Sequence, residues 1–575
     1  VIKRMKEKEL IDCFETEKIR TTADEYLPDQ NDTAFFLNAR QQKVLREISV
    51  GLGKNIFTPI LLHGVTGSGK TEVYLKAIAS ALENKGRAIY LVPEISLTPQ
   101  LLSRIQGRFA REHIAVLHSG IAEAVRYDQW RRIKRGEIRL VVGARSAIFA
   151  PLPDLKLIIV DEEHDSSYKQ DERLCYHSRD LAVMKAKLHN ALVILGSATP
   201  GIRTYYNAES NKYHYLEIAR RIKDKPLPQV EIIDMKEQRD VQGNVPALST
   251  ALIDAIAITL QKKEQVLLFL NKRGFDTFLV CADCGYNFRC PNCAVSLKNH
   301  TAEGVVKCHY CNYVQKALPH CPSCQSPRVL RYGTGIQKLE AEVKRIFPEA
   351  HIQRMDSDII AGKGTQVKIL QQIVRREIDI LVGTQMVTKG HDFPCITLVG
   401  VVAADTALNM PDFRAAEKTF QQLTQVAGRG GRGNTPGRVI IQTFNPQHHA
   451  LKHAQHHDYK SFYEEEIIFR EDLKYPPFSR LINLRLSATN KTCLLEQAAQ
   501  LGKMARQLCL KYGNNVAVIG PAESPLAKIK GRWRRQLLLK SENTAALHQF
   551  VRELLDKTGR STIKITVDVD PENFM

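Results

Sequence analysis

Short apolar runs alternate with helix-type patterns along most of this chain. In its first half these runs lie at 60–62, 88–92, 139–142, 157–160 and 192–195. A second series follows at 266–270, 378–382, 398–402 and 439–441. Apolar runs of this length, separated by stretches with helical periodicity, are typical of buried parallel strands joined by helices. The pattern therefore predicts two α/β regions with doubly wound parallel sheets, whose ligands bind at the carboxyl ends of the strands.

The first apolar run leads into the stretch GVTGSGKT at 64–71, and a helix-type pattern follows it. This stretch fits the G-x-x-x-x-G-K-T phosphate-loop pattern at every position, and a chance glycine-rich turn is the alternative. Glycines let the backbone wrap closely around a triphosphate, with amides and a helix N-terminus directed at the anion. We expect Lys70 to reach the β- and γ-phosphates and Thr71 to hold Mg²⁺. The other residues of the predicted ATP-binding loop are Gly64, Val65, Thr66, Gly67, Ser68 and Gly69.

Further polar motifs follow the predicted strands. Asp161 and Glu162 come directly after the run at 157–160, where one acid can hold Mg²⁺ and the other can deprotonate the attacking water. The alternative for this DEEH motif alone is a solvated acidic turn. Upstream of the phosphate loop, Gln41 is a candidate for reading the adenine edge, with a solvated helix face as an equal alternative.

The second α/β region contains no phosphate loop of its own. It carries GTQ…KGHD at 383–392 and QVAGRGGR at 425–432 instead. We expect Arg429 and Arg432 to reach the γ-phosphate of a nucleotide held by the first region and to stabilise transition-state charge. Gly390 and Asp392 belong to the predicted nucleotide site as well.

Two stretches combine aromatic residues with cations, a combination that suits stacking on unpaired bases and contact with phosphates. The first contains Tyr168, Lys169, Arg173, Tyr176, His177 and Arg179, and the second Lys530, Arg532, Trp533, Arg534 and Arg535. A solvated basic loop is the alternative for the second stretch. With 82 Lys and Arg against 62 Asp and Glu, the formal charge of +20 favours a polyanionic partner, either nucleic acid or an acidic membrane surface. No apolar run approaches 18 residues, so we expect a cytosolic protein without a membrane partner.

Eight of the 13 cysteines form four Cys-x-x-Cys pairs within a short stretch. The pairs are Cys281 with Cys284, Cys290 with Cys293, Cys308 with Cys311, and Cys321 with Cys324. Two such pairs complete a tetrahedral structural zinc site, so the spacing predicts two Zn²⁺ ions, with an iron–sulfur cluster as the less favoured alternative. Sequential pairing would make two separate knuckles, whereas nested pairing joins the two outer pairs and the two inner pairs. The short hairpin-like stretch between the inner pairs favours nesting.

The order of the motifs resembles that of a known family. GVTGSGKT, LVPEISLTP, DEEHDSSYKQ, GSATP, LLFLNKRG, VGTQMVTKGHDFP and QVAGRGGR are similar to successive motifs of superfamily 2 helicases. LNKRGF followed by paired cysteines, MPDFRAAE, YPPFSRL and VDVDPENF resemble the PriA (primosomal protein N′) family of replication-restart helicases. The resemblance covers the chain from about residue 35 to its last residues.

This resemblance implies an α/β fold of two RecA-like P-loop lobes, an inserted zinc-binding module and a C-terminal α+β domain. It places lobe 1 at 36–222, lobe 2 at 223–280 and 329–452, the two-zinc module at 281–328 and the C-terminal domain at 453–575, and it makes 1–35 a remnant of an N-terminal or winged-helix region. It also implies nested cysteine pairs, catalytic roles for Lys70, Asp161, Glu162, Arg429 and Arg432, and a DNA-coupling loop at 168–179.

The function implied is ATP-driven 3′→5′ unwinding at stalled or forked DNA, followed by primosome assembly, in the bacterial cytoplasm at the nucleoid. The implied partners are forked and single-stranded DNA, the acidic tail of single-strand-binding protein and other primosome proteins. Leu174 and Cys175 stand where the family places an arginine, and Gly430 stands where it places an alanine. The two rival functions are a translocase that does not separate strands, and a zinc-ribbon DNA-binding scaffold with a vestigial ATP site.

Overall fold

The structure is a computed structural model that describes most of the chain. The described residues are 5, 36–93, 99–109, 113–172, 174–222, 226–240, 243–270, 278–300, 303–332, 335–356, 359, 365–384, 395–430, 437–513, 515–558 and 562–574. Four predicted site residues, Arg173, Gly390, Asp392 and Arg432, lie outside these ranges, as does almost all of the predicted N-terminal remnant.

Helices and strands alternate up to about residue 270, as the apolar pattern predicts. The helices are α1 (Ala39–Lys54), α2 (Lys70–Glu83), α3 (Pro99–Arg108), α4 (Glu123–Lys134), α5 (Ser178–Leu188), α6 (Ile202–Glu209), α7 (Thr250–Gln261), α8 (Ile336–Ile346), α9 (Thr365–Val374), α10 (Asp405–Leu408), α11 (Ala415–Ala427), α12 (His449–Gln455), α13 (Tyr459–Asp472), α14 (Lys491–Lys511) and α15 (Thr544–Thr558).

The strands are β1 (Thr58–Gly64), β2 (Arg87–Leu91), β3 (Ile114–Leu117), β4 (Leu140–Gly143), β5 (Leu155–Asp161), β6 (Lys169–Gln170), β7 (Tyr176–His177), β8 (Leu192–Ser197), β9 (His214–Ile218), β10 (Gln229–Asp234), β11 (Gln265–Leu270), β12 (Phe278–Cys281), β13 (Lys298–His300), β14 (Val305–Lys307), β15 (Val314–Lys316), β16 (Val329–Tyr332), β17 (Ile352–Met355), β18 (Ile380–Gly383), β19 (Ile396–Val402), β20 (Arg438–Thr443), β21 (Arg480–Ala488), β22 (Ala517–Ile529), β23 (Arg532–Ser541) and β24 (Lys564–Val569).

The chain divides into two compact units. Unit 1 comprises 1–58, 71–161 and 180–194, and unit 2 comprises 59–70, 162–179 and 195–575. This division differs from the lobe boundaries implied by the resemblance, because the phosphate loop and the segment after Asp161 make contacts within unit 2.

Unit 1 contains four parallel strands in the order β3-β4-β2-β5. Strands β2, β3 and β4 are almost continuously apolar and buried, as expected for parallel strands covered on both faces. Two ion pairs join helix α2 to α3: Glu72 of α2 pairs with Arg104 (3.4 Å) and Arg108 (2.5 Å) of α3. Three of the first predicted apolar runs, at 88–92, 139–142 and 157–160, are therefore parallel strands of this unit.

Unit 2 contains the second predicted parallel sheet. Its six strands run in the order β10-β20-β19-β11-β18-β17, and every pairing between them is parallel. Strands β11 and β19 are buried along their whole length. β1 and β9 pair in parallel in the same unit, with Leu61 opposite Tyr215.

The C-terminal part of unit 2 is an α+β domain. Its four-stranded antiparallel sheet has the order β22-β23-β21-β24. One apolar cluster joins Leu484 of β21, Leu501 of α14 and Phe550 of α15, so both helices cover the same face of the sheet. Within the part of the chain that the structure describes, none of the helices combines the length and the hydropathy that crossing a lipid bilayer requires.

Two glycines of unit 1 provide a matched test of the packing between strands β3 and β4. A Cβ at Gly143 of β4 would lie 2.2 Å from the carbonyl oxygen of Leu117 in β3, which has little room to move. A Cβ at Gly53, in the last turn of α1, would meet no heavy atom within 4 Å. We predict that Gly143→Ala lowers stability by about 1–3 kcal/mol through overpacking. Gly53→Ala should raise stability by about 0.5–1 kcal/mol, because alanine loses less backbone entropy in a helix. Thermal unfolding of both variants measures the difference, and equal midpoints would contradict the close β3–β4 approach.

Candidate nucleotide site and metal centres

The phosphate loop joins β1 to α2. Gly67 and Gly69 have φ values of 79° and 80°, a region in which glycine is favoured. The ammonium group of Lys70 is buried and donates a hydrogen bond of 2.6 Å to the carbonyl oxygen of Gly64. That partner is a neutral carbonyl, so the lysine charge is not cancelled by it. The left-handed glycines, the buried lysine and the start of α2 fit the requirements of a triphosphate site.

The acidic motif follows β5. In unit 1, Asp161 accepts a long hydrogen bond of 3.4 Å from the hydroxyl group of Tyr90. In unit 2, Glu162 has a φ value of 46°, in the left-handed region that non-glycine residues adopt uncommonly. Other turns of this chain share that conformation, so it does not decide between a functional site and a solvated acidic turn.

A chain of polar contacts runs from the acidic motif to helix α11. The ring nitrogen Nδ1 of His164 lies 2.7 Å from Ser197 Oγ at the end of β8, and 3.7 Å from a carboxylate oxygen of Glu162. On the other side of the ring, Nε2 of His164 lies 2.8 Å from the amide nitrogen of Gln425. With that amide as the donor, Nδ1 carries the ring proton and donates a hydrogen bond to Ser197 Oγ. Three sequence motifs therefore meet at one imidazole.

Arg221 connects the phosphate loop to the segment that follows α11. Its guanidinium group donates to the carbonyl oxygen of Thr66 at 3.1 Å and to that of Gly428 at 3.3 Å. A Cβ on Gly428 would lie 2.6 Å from the side chain of Thr66, so only glycine allows this approach. The role of Arg221 was not predicted. The sequence shows its charge, but it does not show the two distant carbonyl groups that Arg221 contacts.

Arg429 follows Gly428 directly. Burial lowers the pKa of its guanidinium to about 10, and the negative charge of Glu162 opposes this shift. Arg429 thus feels the charge of Glu162. Its role in hydrolysis stays a prediction.

Two buried carboxylates hold the start of helix α6. The N-cap residue Gly201 offers no side chain to the first amides of this helix. Glu163 accepts hydrogen bonds from the Gly201 amide at 2.7 Å and from the Thr204 hydroxyl at 2.8 Å. Glu417 of α11 accepts one from the Ile202 amide at 2.9 Å. Negative charge at a helix N-terminus is stabilising, and these two carboxylates supply it from two distant parts of the chain.

Both carboxylates are also paired with arginines. Arg179 lies 3.2 Å from Glu163, and Arg470 of α13 lies 3.0 Å from Glu417. Buried charges are tolerated when they are paired in this way. From the sequence, Arg179 is predicted to contact DNA, and no role is predicted for Glu163, Glu417 or Arg470.

The predicted DNA-coupling stretch is mostly buried. Tyr168 is 0% exposed, Lys169 4%, and His177 and Arg179 8% each, while Tyr176 is half-buried. β6 and β7 form a small antiparallel hairpin in this stretch. The Tyr168 ring has no accessible face in this structure, so stacking of bases on it would require a rearrangement and stays a prediction. Coupling of the stretch to DNA stays a prediction.

The alternative given for Gln41 needs correction. Gln41 belongs to a capping box at the start of α1, in which its Oε1 accepts from the Asn38 amide at 2.9 Å. It is buried, so the solvated-face alternative is wrong, and the reading of adenine stays a prediction. Near Cys175, where the family places an arginine, Arg485 of β21 lies 3.2 Å from the sulfur and donates to the Asp171 carbonyl at 2.6 Å.

The basic stretch near Trp533 is a β-hairpin and not a loop. Lys530 and Gly531 form the turn between β22 and β23, with φ values of 49° and 78°. The ammonium groups of Lys491 and Lys528 lie 4.8 and 5.0 Å from the centre of the indole ring. Burial lowers the pKa of Arg534 and of Arg535. The hairpin thus presents a tryptophan flanked by cations.

The four Cys-x-x-Cys pairs fold in the same way. In each pair, the amide following the second cysteine donates to the carbonyl of the first cysteine at 2.9–3.0 Å. The residue that carries this amide has a positive φ in all four turns: Gly285, Ala294, Asn312 and Gln325. Four repeats of one turn point the paired sulfur atoms in the same direction, which is the geometry of a zinc knuckle.

The sulfur atoms form two nested groups. Cys281, Cys284, Cys321 and Cys324 make one group, Cys290, Cys293, Cys308 and Cys311 make the other, and the sulfur atoms of each lie within 4.8 Å of one another. The sulfurs of Cys281 and Cys324 are 3.5 Å apart, and those of Cys290 and Cys311 are 3.6 Å apart. A tetrahedral zinc with Zn–S bonds of about 2.3 Å requires S–S separations of about 3.8 Å. The groups therefore fit two zinc ions, and the nested grouping agrees with the prediction.

The zinc module shares its core with the C-terminal domain. One apolar cluster contains Phe288 and Tyr310 of the module together with Tyr475, Leu538 and Phe574. The Tyr475 hydroxyl also donates to the Cys293 carbonyl at 3.2 Å. Residues from outside the module thus complete its apolar core.

A phosphate loop, an acidic motif at a strand end and two parallel α/β sheets are the features of the RecA-like helicase fold class. Comparison with family models agrees, since residues 38–208 match the DEAD/DEAH box helicase model. Residues 471–572 match the primosomal protein N C-terminal domain, and residues 290–316 match the PriA DNA helicase Cys-rich region domain.

Curated relatives give the particular family. The chain is 43% identical to the replication restart protein PriA of Bacillus subtilis over 94% of this chain and 67% of that protein. It is 43% identical to that of Synechocystis sp., over 89% and 62%, and 39% identical to that of Treponema pallidum, over 94% and 80%. The chain belongs to the replication restart protein PriA family, and it spans between about three fifths and four fifths of the length of these relatives.

The cysteine geometry predicts the metal content directly. We expect two zinc ions per chain, and one after Cys281 and Cys284 are both replaced by serine, because only the outer group loses ligands. The matched control replaces Cys493 and Cys509, which lie outside both groups, and should keep two zincs. Elemental analysis of the purified proteins measures this. One zinc, or iron, in the unmodified protein would contradict the assignment.

Proposed function

We propose that this chain is an ATP-dependent DNA helicase that moves 3′→5′ along DNA, opens stalled or forked replication structures and starts primosome assembly there. The observation that supports this most directly is the Arg221 bridge between Thr66 and Gly428. It holds the phosphate loop against the segment that carries the candidate arginine finger. The family membership and the helicase-domain match support the same activity.

The triphosphate is held by residues of the phosphate loop in this proposal. The ammonium group of Lys70 moves from the Gly64 carbonyl to the β- and γ-phosphates, while the amides of the loop bind phosphate oxygens. Thr71 and Asp161 would hold Mg²⁺, which when bound neutralises charge on the phosphates. Gln41, Gly390 and Asp392 complete the proposed nucleotide contacts.

The chemical step is an in-line attack by water on the γ-phosphorus. Glu162 accepts a proton from the water, the new P–O bond forms, and the bond to the ADP oxygen breaks. Arg429, together with Arg432, stabilises the negative charge that develops on the transferred group. Arg221, which contacts the carbonyl of the residue preceding Arg429, makes the position of the finger sensitive to the state of the loop.

DNA is the proposed track, and the formal charge of +20 favours it. The hairpin with Lys530, Arg532, Trp533, Arg534 and Arg535 is the proposed contact for single-stranded DNA, since its indole and cations suit bases and phosphates. The acidic tail of single-strand-binding protein and other primosome proteins are further proposed partners. The zinc module is proposed to separate strands or to dock partners, and the activity places the protein in the bacterial cytoplasm at the chromosome.

A forked substrate distinguishes the proposal from both rivals. We expect ATP-dependent release of the strand ahead of a 3′→5′ motor, measured with duplexes that carry either a 3′ or a 5′ single-stranded tail. ATP turnover and displacement of a bound protein without strand release would indicate a translocase. DNA binding without any ATP turnover would indicate the zinc-ribbon scaffold.

Two substitutions test the chemistry. Glu162→Gln keeps the shape of the side chain but removes its capacity as a base, so we expect retained ATP binding with a fall in turnover of about 10²–10⁴-fold. Lys70→Ala should weaken the binding of ATP as well. Glu231→Gln, which alters a carboxylate paired with Arg438 on β20, is the matched control and should turn over normally. ATPase and nucleotide-binding assays with DNA measure these effects. Near-normal turnover by Glu162→Gln would mean that another carboxylate is the base.

A further inference from the structure

The last described residues form an acidic strap, defined here as residues 568–574, which includes the end of β24. Asp568, Asp570 and Glu572 stand at every second position of this strap, and Phe574 follows. The strap turns at Asp570, where φ is 47°, so it is not one extended strand. It still carries three negative charges within five residues, and repeated negative charge is also what attracts cations to nucleic acid.

The first acid of the strap binds the predicted DNA-coupling stretch. Asp568 forms an ion pair of 2.7 Å with Lys169, and both side chains are buried. The same ammonium group donates to the carbonyl oxygens of Val569 at 2.7 Å and Asp570 at 3.1 Å. Lys169 is thus enclosed by the strap.

The next two acids bind further cations of unit 2. Asp570 pairs with Arg203 of α6 at 2.9 Å and with Arg480 of β21 at 2.7 Å. Glu572 pairs with Arg414 at 2.7 Å and lies 3.9 Å from the His177 ring. Burial alone would raise the pKa of Glu572, but Arg414 and His177 reverse this effect and lower the pKa to about 2.

An aromatic contact anchors the end of the strap. Phe574 is 3% exposed, and its ring centre lies 4.7 Å from that of Tyr310 in the zinc module and 6.2 Å from that of Phe413. The Arg414 guanidinium lies over both Phe413 and Phe574. The strap therefore ends in a pocket that the zinc module helps to form.

The hold of the strap is uneven. The Asp568 side chain is fully buried, whereas those of Asp570 and Glu572 keep 24% and 21% exposure. Ion pairs that solvent reaches weaken with salt. A cavity of about 120 Å³ also lies along the outer part of the strap, lined by Asp570, Glu572, Arg203 and Arg414. The outer half is thus the part that solvent and salt can reach, although Lys418 also holds the Glu572 carbonyl at 2.8 Å.

We propose that the acidic strap is a tethered competitor of DNA, whose carboxylates occupy cations that bind the phosphates of single-stranded DNA when the outer strap is displaced. This inference rests on the proposed function, because it names a surface and a regulation for the same DNA contact. It also accounts for the burial of Lys169 and His177, which the strap covers. A strap that only braces the fold would have the opposite effect on DNA affinity when it is weakened.

The test compares two doubly substituted proteins of equal charge. Asp570→Asn with Glu572→Gln weakens the outer strap, and Arg414 keeps Asp412 as a counter-charge. Asp568 is left unchanged, because its loss would leave the buried Lys169 without a counter-charge. The control, Glu542→Gln with Glu553→Gln, removes two acids that pair with Lys474 and Lys511 elsewhere in the C-terminal domain. Fluorescence anisotropy with a labelled single-stranded oligonucleotide, without nucleotide, gives the affinities.

We expect the strap variant to bind about three- to tenfold more tightly than the control, the size of effect that two partly exposed ion pairs provide. Equal or weaker binding by the strap variant would overturn the proposal. In the unmodified protein, the oligonucleotide should increase backbone hydrogen exchange at 568–574, and unchanged or slower exchange there would also overturn it. If the unmodified protein binds no single-stranded DNA, the proposed function fails together with the strap. If it binds but the two variants do not differ, the strap proposal alone fails.

Discussion

The amides at the start of helix α6 donate hydrogen bonds to two buried carboxylates, and the geometry of the candidate site depends on this contact. Glu163 follows directly on the proposed base Glu162, and Glu417 lies in the first turn of α11, whose far end leads to Gly428 and Arg429. Because the first amides of α6 have no capping side chain of their own, they need these charges. A helix of only eight residues thereby fixes the distance between the acidic motif and the helix that leads to the arginine finger.

Single side chains near this helix each contact two distant segments of the chain. These polar contacts therefore change together, because coupled hydrogen bonds behave as a unit. His164 contacts both Ser197 and Gln425, and Arg221 contacts both Thr66 and Gly428. A shift of the phosphate loop therefore alters the carbonyl next to Arg429, and a shift of α11 alters the imidazole beside Glu162. Under the proposed function, this arrangement would pass a shift of the phosphate loop on to helix α11.

The sequence predicted features that are encoded locally. The parallel strands follow from short apolar runs, the phosphate loop from glycine and lysine spacing, and the zinc knuckles from four repeats of one pair. Pairings between residues far apart in sequence were missed, because a single Glu or Arg has no local pattern that names its partner. Glu163 with Thr204, Arg221 with Gly428 and Lys169 with Asp568 are all of this kind. For the same reason, the sequence predicts DNA contacts for the stretch at 168–179, whereas Lys169 and Arg179 are buried against carboxylates in the structure.

The zinc module shows how a local motif acquires a distant consequence. The Tyr310 amide lies 3.4 Å from the sulfur of Cys308, so the inner cysteine group fixes the backbone that carries the Tyr310 ring. That ring packs against Phe574, whose segment pairs with Lys169 through Asp568. Direct contacts in unit 2 thus link the inner zinc knuckle to Phe574, and link Phe574 to the stretch that follows the acidic motif. Zinc held by the inner cysteine group, as predicted, would therefore also set the position from which the other two elements are held.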